Sequence, residues 1–428
     1  MEQKTEPAIS LSILIVGGGL AGLSAALALK KAGHNVKVFE RRSEYKETGA
    51  GIQLFPNATR LLRKWGVLEQ LRDISTQPMT GAFRSYRGKV IARPQTGTAV
   101  EETFEAPHLA VRRADLIRVL FDAATSQGVE VELDSAVAAI DFSKPLLRMA
   151  SGAVYEADLI LGADGENSFC RNALLGREDP PRSTGELLFR LVVPRQSVKE
   201  NHPSAELMEK GAVNLWMGPN AHCVSYLLAN DTLNVVLAYP DAPFRHDRLM
   251  HGPQAPDLDT LRTVLKDWDP ALQGLLELDV EQPPVTCSQW TLFETGDLVT
   301  WRHEGGQFLL IGDAAHAMLP FMAQGAAQAF EDAAMLGAIF GQLTSRAQIP
   351  SAVAILEELR KPRAERIKQA AIGQKKVFAV PDGPAQVERD AKLAQSPFGS
   401  ENSPLRWIWD YDAAVEGEKA WQARVAAA

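Results

Sequence analysis

The sequence predicts an α/β fold: a parallel-sheet nucleotide-binding unit, an inserted mainly β layer and a helical C-terminal region. Three observations carry this. Residues 11–16, LSILIV, are a continuous apolar run ending in glycines, the pattern of a strand buried on both faces. An Ala- and Leu-rich helical segment, 20–31, stops at Gly33, and 35–39, NVKVF, then closes a βαβ unit at Glu40. Farther on, strand patterns crowd residues 183–290, whereas helical patterns fill 324–376.

In chain order, Asn57 is expected to cap a helix that runs through ATRLLRKWG and ends at Gly66. Residues 76–107, punctuated by Gly, Pro and Thr, read as sheet and loops. A helix returns over 115–126, followed by the strands VEVEL and DLILGADG, the latter beginning at Asp158. Within the β layer, ELLFRLVVP, CVSYLLA and TLNVVLAYP are strands, broken by a charged helical segment near 259–266. Residues 307–311 form a strand leading to Gly312, and after Pro381 the signals weaken. The expected division is a discontinuous first domain (1–75, 108–180 and 285–350), a β layer (76–107 and 181–284) and a helical region (351–428).

The chain has 428 residues, enough for two or three structural units. Lys and Arg number 45 against 53 Asp and Glu, a net charge of −8, which disfavours nucleic-acid binding as the main task. Hydrophobic residues at 46% and charged residues at 23% exclude a wholly disordered or fibrous chain. Cys170, Cys223 and Cys287 are odd in number and widely spaced, so neither a disulfide framework nor a metal site is expected. The polar start, MEQKTEPAIS, lacks the regions of a secretory signal, and no stretch approaches the roughly 20 apolar residues of a membrane span. The C-terminus carries neither a peroxisomal tripeptide nor a prenylation box. A cytoplasmic protein without membrane partners is expected.

Gly17, Gly19 and Gly22 form GxGxxG between a strand and a helix, and Glu40 ends the next strand. The first glycine allows the tight turn, the second lets backbone approach a pyrophosphate, and the third lets helix and strand pack closely. Glu40 can accept ribose hydroxyls, and the helix start offers unpaired N–H groups to phosphate. This motif alone does not choose between NAD and FAD.

Two later segments, ADLILGADGENSFCR from Ala157 and FLLIGDAAHAMLPFMAQGAAQAFEDAA from Phe308, resemble the second and third signatures of FAD-dependent aromatic hydroxylases. ERR at 40–42, GAGIQLFPNATRLLRKWG at 49–66, VRRADLIRVL at 111–120, ELRKPRAERIKQ at 358–369 and the late WIWDYDA resemble the salicylate hydroxylase-like branch, including its fungal members. Over effectively its full length, the chain is similar to the group A flavin monooxygenases.

That resemblance implies a Rossmann-like FAD-binding domain holding FAD non-covalently, with NADH or NADPH as a transient co-substrate. Besides the three glycines and Glu40, it implies cofactor roles for Arg41, Gly51, Arg113, Asp164, Asp313, Pro320, Gly325 and Ala326. Arg112 leaves the choice of Arg113 open by one residue. Asp164 would lie where both nucleotides approach, Asp313 at the ribityl chain and Pro320 beside the reacting edge of the flavin. The helix starting at 324–326 would aim its N–H groups at the charge that develops near the flavin N1/C2 carbonyl.

The implied reaction uses O2 and a flavin C4a-hydroperoxide to hydroxylate a phenolic or other electron-rich small aromatic. Hydroxylative dearomatisation, epoxidation or a non-catalytic FAD-binding module are the alternatives. Arg190 and Tyr226 resemble a pair that holds a phenolate and assists its proton transfer, with His222 and Tyr239 in reserve. His316 is read as structural or supporting the flavin, not as a base. Trp301 and Phe321 either line an aromatic pocket or fill the core. The Trp407–Trp409 cluster lacks the Ile-Pro of flavin halogenases and reads as an apolar anchor. A monomer or homodimer is expected.

Overall fold

The computed structural model describes residues 9–45, 51–209, 211–241, 253–278, 285–395, 398 and 403–427. The polar start (1–8) and residues 49–50 of the GAGIQ motif lie outside the described residues.

The βαβ unit forms where the sequence places it, with strand Ser12–Val16, helix Leu20–Lys31 and strand Asn35–Phe39. These strands join Phe308–Leu310, Leu159–Gly162 and Glu130–Glu132 in a five-stranded parallel sheet with Ser12–Val16 at its centre. The unbroken apolar runs follow from burial on both faces: Ile13, Ile15, Leu161 and Leu309 are wholly inaccessible. Helix Leu20–Lys31 packs against Gly325–Phe340, and Gly66 ends helix Pro56–Trp65 in the left-handed region at φ 80°.

A seven-stranded sheet makes the second layer, in the order Thr286–Glu294, Arg182–Pro194, Thr232–Pro240, Ala221–Leu227, Ala212–Gly218, Thr80–Ser85, Val90–Ala92. All pairs are antiparallel except Ala212–Gly218 with Thr80–Ser85. One face, carrying Leu187, Phe189, Leu191, Trp216 and Leu237, is sealed by the helices Leu258–Val264 and Pro270–Leu275. The opposite face turns toward the first domain, so strand alternation decides which side chains reach the space between the layers.

Three expectations are corrected. Thr286–Glu294, placed by the sequence in the first domain, pairs along Arg182–Pro194 as an edge strand of the second layer. Residues 76–107 contain a helix, Gly97–Phe104, where sheet and loops were expected; its Val100 and Phe104 are buried against Trp409 and its neighbours. Asn57 is not a cap: it lies inside helix Pro56–Trp65, wholly buried. After Pro381, where the local sequence signals weaken, the chain forms the helices Pro384–Gln395, Arg406–Trp409 and Ala413–Ala426, in keeping with the helical C-terminal region of the expected fold. Among the described residues, no helix is long and apolar enough to cross a membrane.

A buried polar network ties these parts together. On the 30-residue helix Ile349–Phe378, Arg360 is fully buried. Its Nε donates to Asp332 Oδ1 at 2.8 Å, its Nη1 to Glu331 Oε2 at 2.5 Å and its Nη2 to Gln328 Oε1 at 2.7 Å. Arg363 also donates to Glu331, at 2.7 and 2.9 Å. Asn57 Nδ2 donates to Glu331 Oε1 at 2.8 Å and to Gln324 Oε1 at 2.9 Å. Asp332 Oδ2 accepts from the Gly312 amide at 2.9 Å and sits 2.7 Å from His316 Nε2. Burial alone would push the Asp332 carboxyl up, but His316 and Arg360 hold it down at about 2.

Removing one partner of a buried ion pair leaves the others uncompensated, at a cost of about 3–5 kcal/mol. Arg360→Leu is therefore expected to lower the urea unfolding midpoint strongly, whereas Arg406→Leu, which breaks an exposed pair with Asp410, shifts it little. Equilibrium denaturation of the two variants beside the wild type checks this.

Candidate active site

The space between the two layers is one cavity of about 540 Å³ that runs from the glycine turn to the open face of the seven-stranded sheet. At its first end, Gly17 has φ +108°, and a Cβ there would come within 2.4 Å of the Ala163 carbonyl oxygen. A Cβ on Gly22 would come within 1.9 Å of the Gly17 carbonyl oxygen, so the helix packs directly on the turn. Gly19 differs: nothing lies within 4 Å of its Cβ direction, and it lines the cavity. The turn thus presents bare backbone to whatever occupies that space.

Glu40 is 6% exposed and is held by backbone: Oε2 accepts from the Gly18 amide at 2.8 Å and Oε1 from the Arg42 amide at 3.0 Å. It braces the glycine turn but is not part of the cavity wall. Arg41 is exposed and lies away from the cavity, a position that gives it no contact with the enclosed space. Asp164 also stands back from the lining. Its Oδ1 accepts from Ser168 and its Oδ2 from the Cys170 amide at 2.9 Å, so it fastens the start of helix Phe169–Leu175 while Ala163 and Gly165 face the cavity.

Arg113 lines the cavity, whereas Arg112 lies 3.7 Å from Asp115. Asp313 is exposed within the cavity wall and has no hydrogen-bond partner among the described residues. Nearby Glu166 is pushed up to about 7, chiefly by burial and further by Asp313. Pro320 lies on the same wall, as do Gly325 and Ala326, the first residues of helix Gly325–Phe340, where unpaired N–H groups concentrate positive potential.

A dinucleotide fits this end. The open approach at Gly19 and Gly325, the guanidinium of Arg113 and the unpaired carboxylate of Asp313 match phosphate, carbonyl and hydroxyl groups along one extended molecule. FAD would be held by these groups. His316 is absent from the wall; it is buried against Asp332 with its ring 5.1 Å from that of Trp301. Of the two roles open to Trp301 and Phe321, Trp301, 1% exposed in the core of the first domain, takes the core one, while Phe321 lines the cavity.

At the second end, the parity of the sheet sorts the candidates. Arg190 pairs with Val236, which pairs with Val224, and Tyr226 pairs with Asn234, so Arg190 and Tyr226 share one face. Both line the cavity, and so does His222. Tyr239, at odd parity, is buried in the opposite core and leaves the candidate set. Arg190 stacks its guanidinium 4.6 Å from the centre of the Trp290 ring, and its buried Nε has no partner. Burial, and secondarily Arg113, pushes its pKa down, while Tyr226 opposes this. Burial pushes the Tyr226 phenol up, with Arg190 acting the other way. A Cβ on Gly51 would come within 2.7 Å of the Tyr226 ring, which explains a glycine there without a cofactor.

Sequence reading missed the third wall. Phe55 stacks between His108, at 4.4 Å, and Trp409, at 5.0 Å, and all three line the cavity. His108 Nε2 lies 3.1 Å from Gln53 Oε1. From the helix Ile349–Phe378 come Gln374 and Phe378, which lie one helical turn apart. The WIWDYDA segment was visible as an apolar anchor, but nothing in it announced a cavity wall.

Residues 10–371 match the FAD-binding domain family. The chain is 36% identical to the FAD-dependent monooxygenase OpS4 of Beauveria bassiana, over 96% of this chain and 97% of that protein. It is 31% identical to the 3-amino-4-hydroxybenzoate 2-monooxygenase PtnB3 of Streptomyces platensis, over 95% and 98%. A salicylate hydroxylase solved as a substrate complex has the same fold, with a TM-score of 0.76 at 22% identity over 96% of this chain and 98% of that one. A glycine turn open to an interlayer cavity and a match across most of the chain agree: the protein belongs to the FAD-binding domain family and is a flavoprotein monooxygenase.

Proposed function

We propose that this monooxygenase uses NADH or NADPH and O2 to hydroxylate a phenolic or similarly electron-rich aromatic, held as its anion by Arg190. The observation that carries this reading is the buried, unpartnered Nε of Arg190, on the cavity face that also bears Tyr226. A desolvated guanidinium without a carboxylate partner favours an anionic guest, and a phenolate is the ring form most reactive toward an electrophilic oxygen. The name of the Streptomyces relative, an aminohydroxybenzoate monooxygenase, supports the same substrate class. FAD, when bound, supplies the electrons and activates O2. Gly19, Arg113, Asp313 and Gly325 hold it, Arg190 stabilises the substrate charge, and Tyr226 donates a hydrogen bond to the ring oxygen. Apolar residues of the open sheet face and the aromatic stack line the rest of that space.

Arg190→Ala is expected to reduce hydroxylation by roughly ten- to a hundredfold, the worth of a charge-assisted contact of about 1.5–3 kcal/mol, with FAD binding affected less. Tyr226→Phe keeps the ring and tests the hydroxyl alone. In both variants NAD(P)H oxidation persists with hydrogen peroxide as product, so product formed per NAD(P)H consumed falls. Coupling at the wild-type level in both would remove the pair from the mechanism.

The pH dependence has a defined sign. Burial, with Lys375 adding to it, pushes His222 down to about 4, and burial alone pushes His108 down to about 3. Both are neutral above pH 6, where Tyr226 is still protonated. Coupling should therefore rise with pH through the ionisation of the bound substrate, and its midpoint should follow the acidity of the phenol supplied. Arg190→Ala should move that midpoint upward; a midpoint independent of the phenol would count against the reading.

The same histidines bind fewer protons folded than unfolded between their ordinary pKa of 6.5 and their depressed values. Their contribution to stability is full above pH 6.5 and is lost as pH falls toward 4. Denaturant midpoints measured across that range should fall with pH, and more shallowly in His222→Phe.

A further inference from the structure

Beyond the Arg190 and Tyr226 end, the cavity has polar groups that anion binding does not use. Gln374 lies on the wall with its Nε2 buried and no hydrogen-bond partner among the described residues. Phe378, one turn along the same helix, sets its ring 5.2 Å from that of His222, which also meets Phe321 at 4.9 Å. The imidazole is thus fixed between two aromatic rings, on the wall that Gln374 shares. Among the described residues, Lys375 is the cation that acts on His222, and it is 3.0 Å from the buried carboxylate of Glu186. Its charge is already matched by that carboxylate.

His222 and Tyr226 are on one strand and one face, roughly 13 Å apart at the usual rise per residue. A ring held at Tyr226 reaches the His222 end only through an extended substituent. Leu215, Val224 and Phe83 line the stretch between and offer only apolar contact.

We infer that Gln374 and His222 form a second, uncharged subsite, which receives a hydrogen-bond acceptor oxygen, a carbonyl above all, on a substituent extending from the reacting ring. This rests on the phenol reading above. The Gln374 carboxamide donates to that oxygen, and the neutral imidazole offers one donor and one acceptor, which suits a carbonyl or hydroxyl group. Among the described residues a carboxylate finds no cation there without a carboxylate partner, and it loses its hydration. Gln374 and His222 are then specificity residues: they select the substituent, while Arg190 selects the ring.

The test uses the purified FAD-loaded protein and three phenols: para-butylphenol, the same chain with a ketone at its third carbon, and a chain of similar length ending in a carboxylate. Binding is read from the change in the flavin spectrum, and coupling from product per NAD(P)H. The wild type is expected to bind the ketone about three- to tenfold more tightly than the alkyl phenol, the range of one hydrogen bond, and to disfavour the carboxylate. In Gln374→Leu the ketone-to-alkyl ratio falls to about one; Gln374→Met, which keeps the length of the side chain, gives the same ratio if the first variant folds poorly. Retention of the ketone preference in both variants, or a wild type that binds phenols without that preference or prefers the carboxylate, overturns the subsite and leaves the phenol reading intact. If none of the phenols binds to or is hydroxylated by the wild type, both fall.

Discussion

The cavity depends on one buried cation. Arg360 reaches from the long C-terminal helix to Glu331 and Asp332, and through Asp332 it fixes the Gly312 amide at the strand end that leads to Asp313. Through Glu331 and Asn57 the same network holds Gln324, at the start of helix Gly325–Phe340. The position of the helix start against the cavity is therefore set by charges that are themselves inaccessible to water. Replacing such a network with apolar side chains can leave a protein as stable or more so, which makes orientation, more than stability, its distinctive contribution here.

The second layer contributes by parity. Alternate residues of three neighbouring strands divide into a sealed core face and a face open to the cavity, and a shift of one residue would exchange them. Long runs of antiparallel pairing, from Glu186–Pro240 to Pro194–Thr232, resist such a shift. That rigidity puts Arg190 and Tyr226 on the same side and removes Tyr239 to the other. An arginine in this position is costly to desolvate, and stacking on Trp290 offsets only part of the cost.

Much of this was legible in the sequence, and the limits have physical causes. The βαβ unit could be read to its end residues because a strand buried on both faces, a tight glycine turn and an Ala-rich helix leave few alternatives for residues 12–39. Arg190 and Tyr226 could be chosen only through resemblance, since strand alternation does not say which face meets a cavity until the partner layer is known. Asn57 looked like a cap because Asn usually is one; tertiary partners, Gln324 and Glu331, claimed its side chain instead. Helix Gly97–Phe104 draws its stability from packing against Trp409, more than 300 residues later, and so left only a weak local signal. Gln374 and Phe378 sit in a helix whose charged pattern speaks of solvent, and only docking shows which of its faces lines the cavity.

The cavity wall draws on residues from Gly19 to Trp409. On the ribosome, the glycine turn is therefore made long before the aromatic stack that completes the compartment. Until the last helices emerge, the cavity face of the seven-stranded sheet, with Leu215, Val224 and Val236, has no cover, and Arg360 has not yet met its carboxylates. The chain as far as Glu294 carries the glycine turn and the seven-stranded sheet but neither strand Phe308–Leu310 nor helix Gly325–Phe340, so an apolar sheet face precedes its cover, the kind of species that calls on chaperones. The separation in sequence that builds the interlayer cavity thus also sets a late deadline for its assembly.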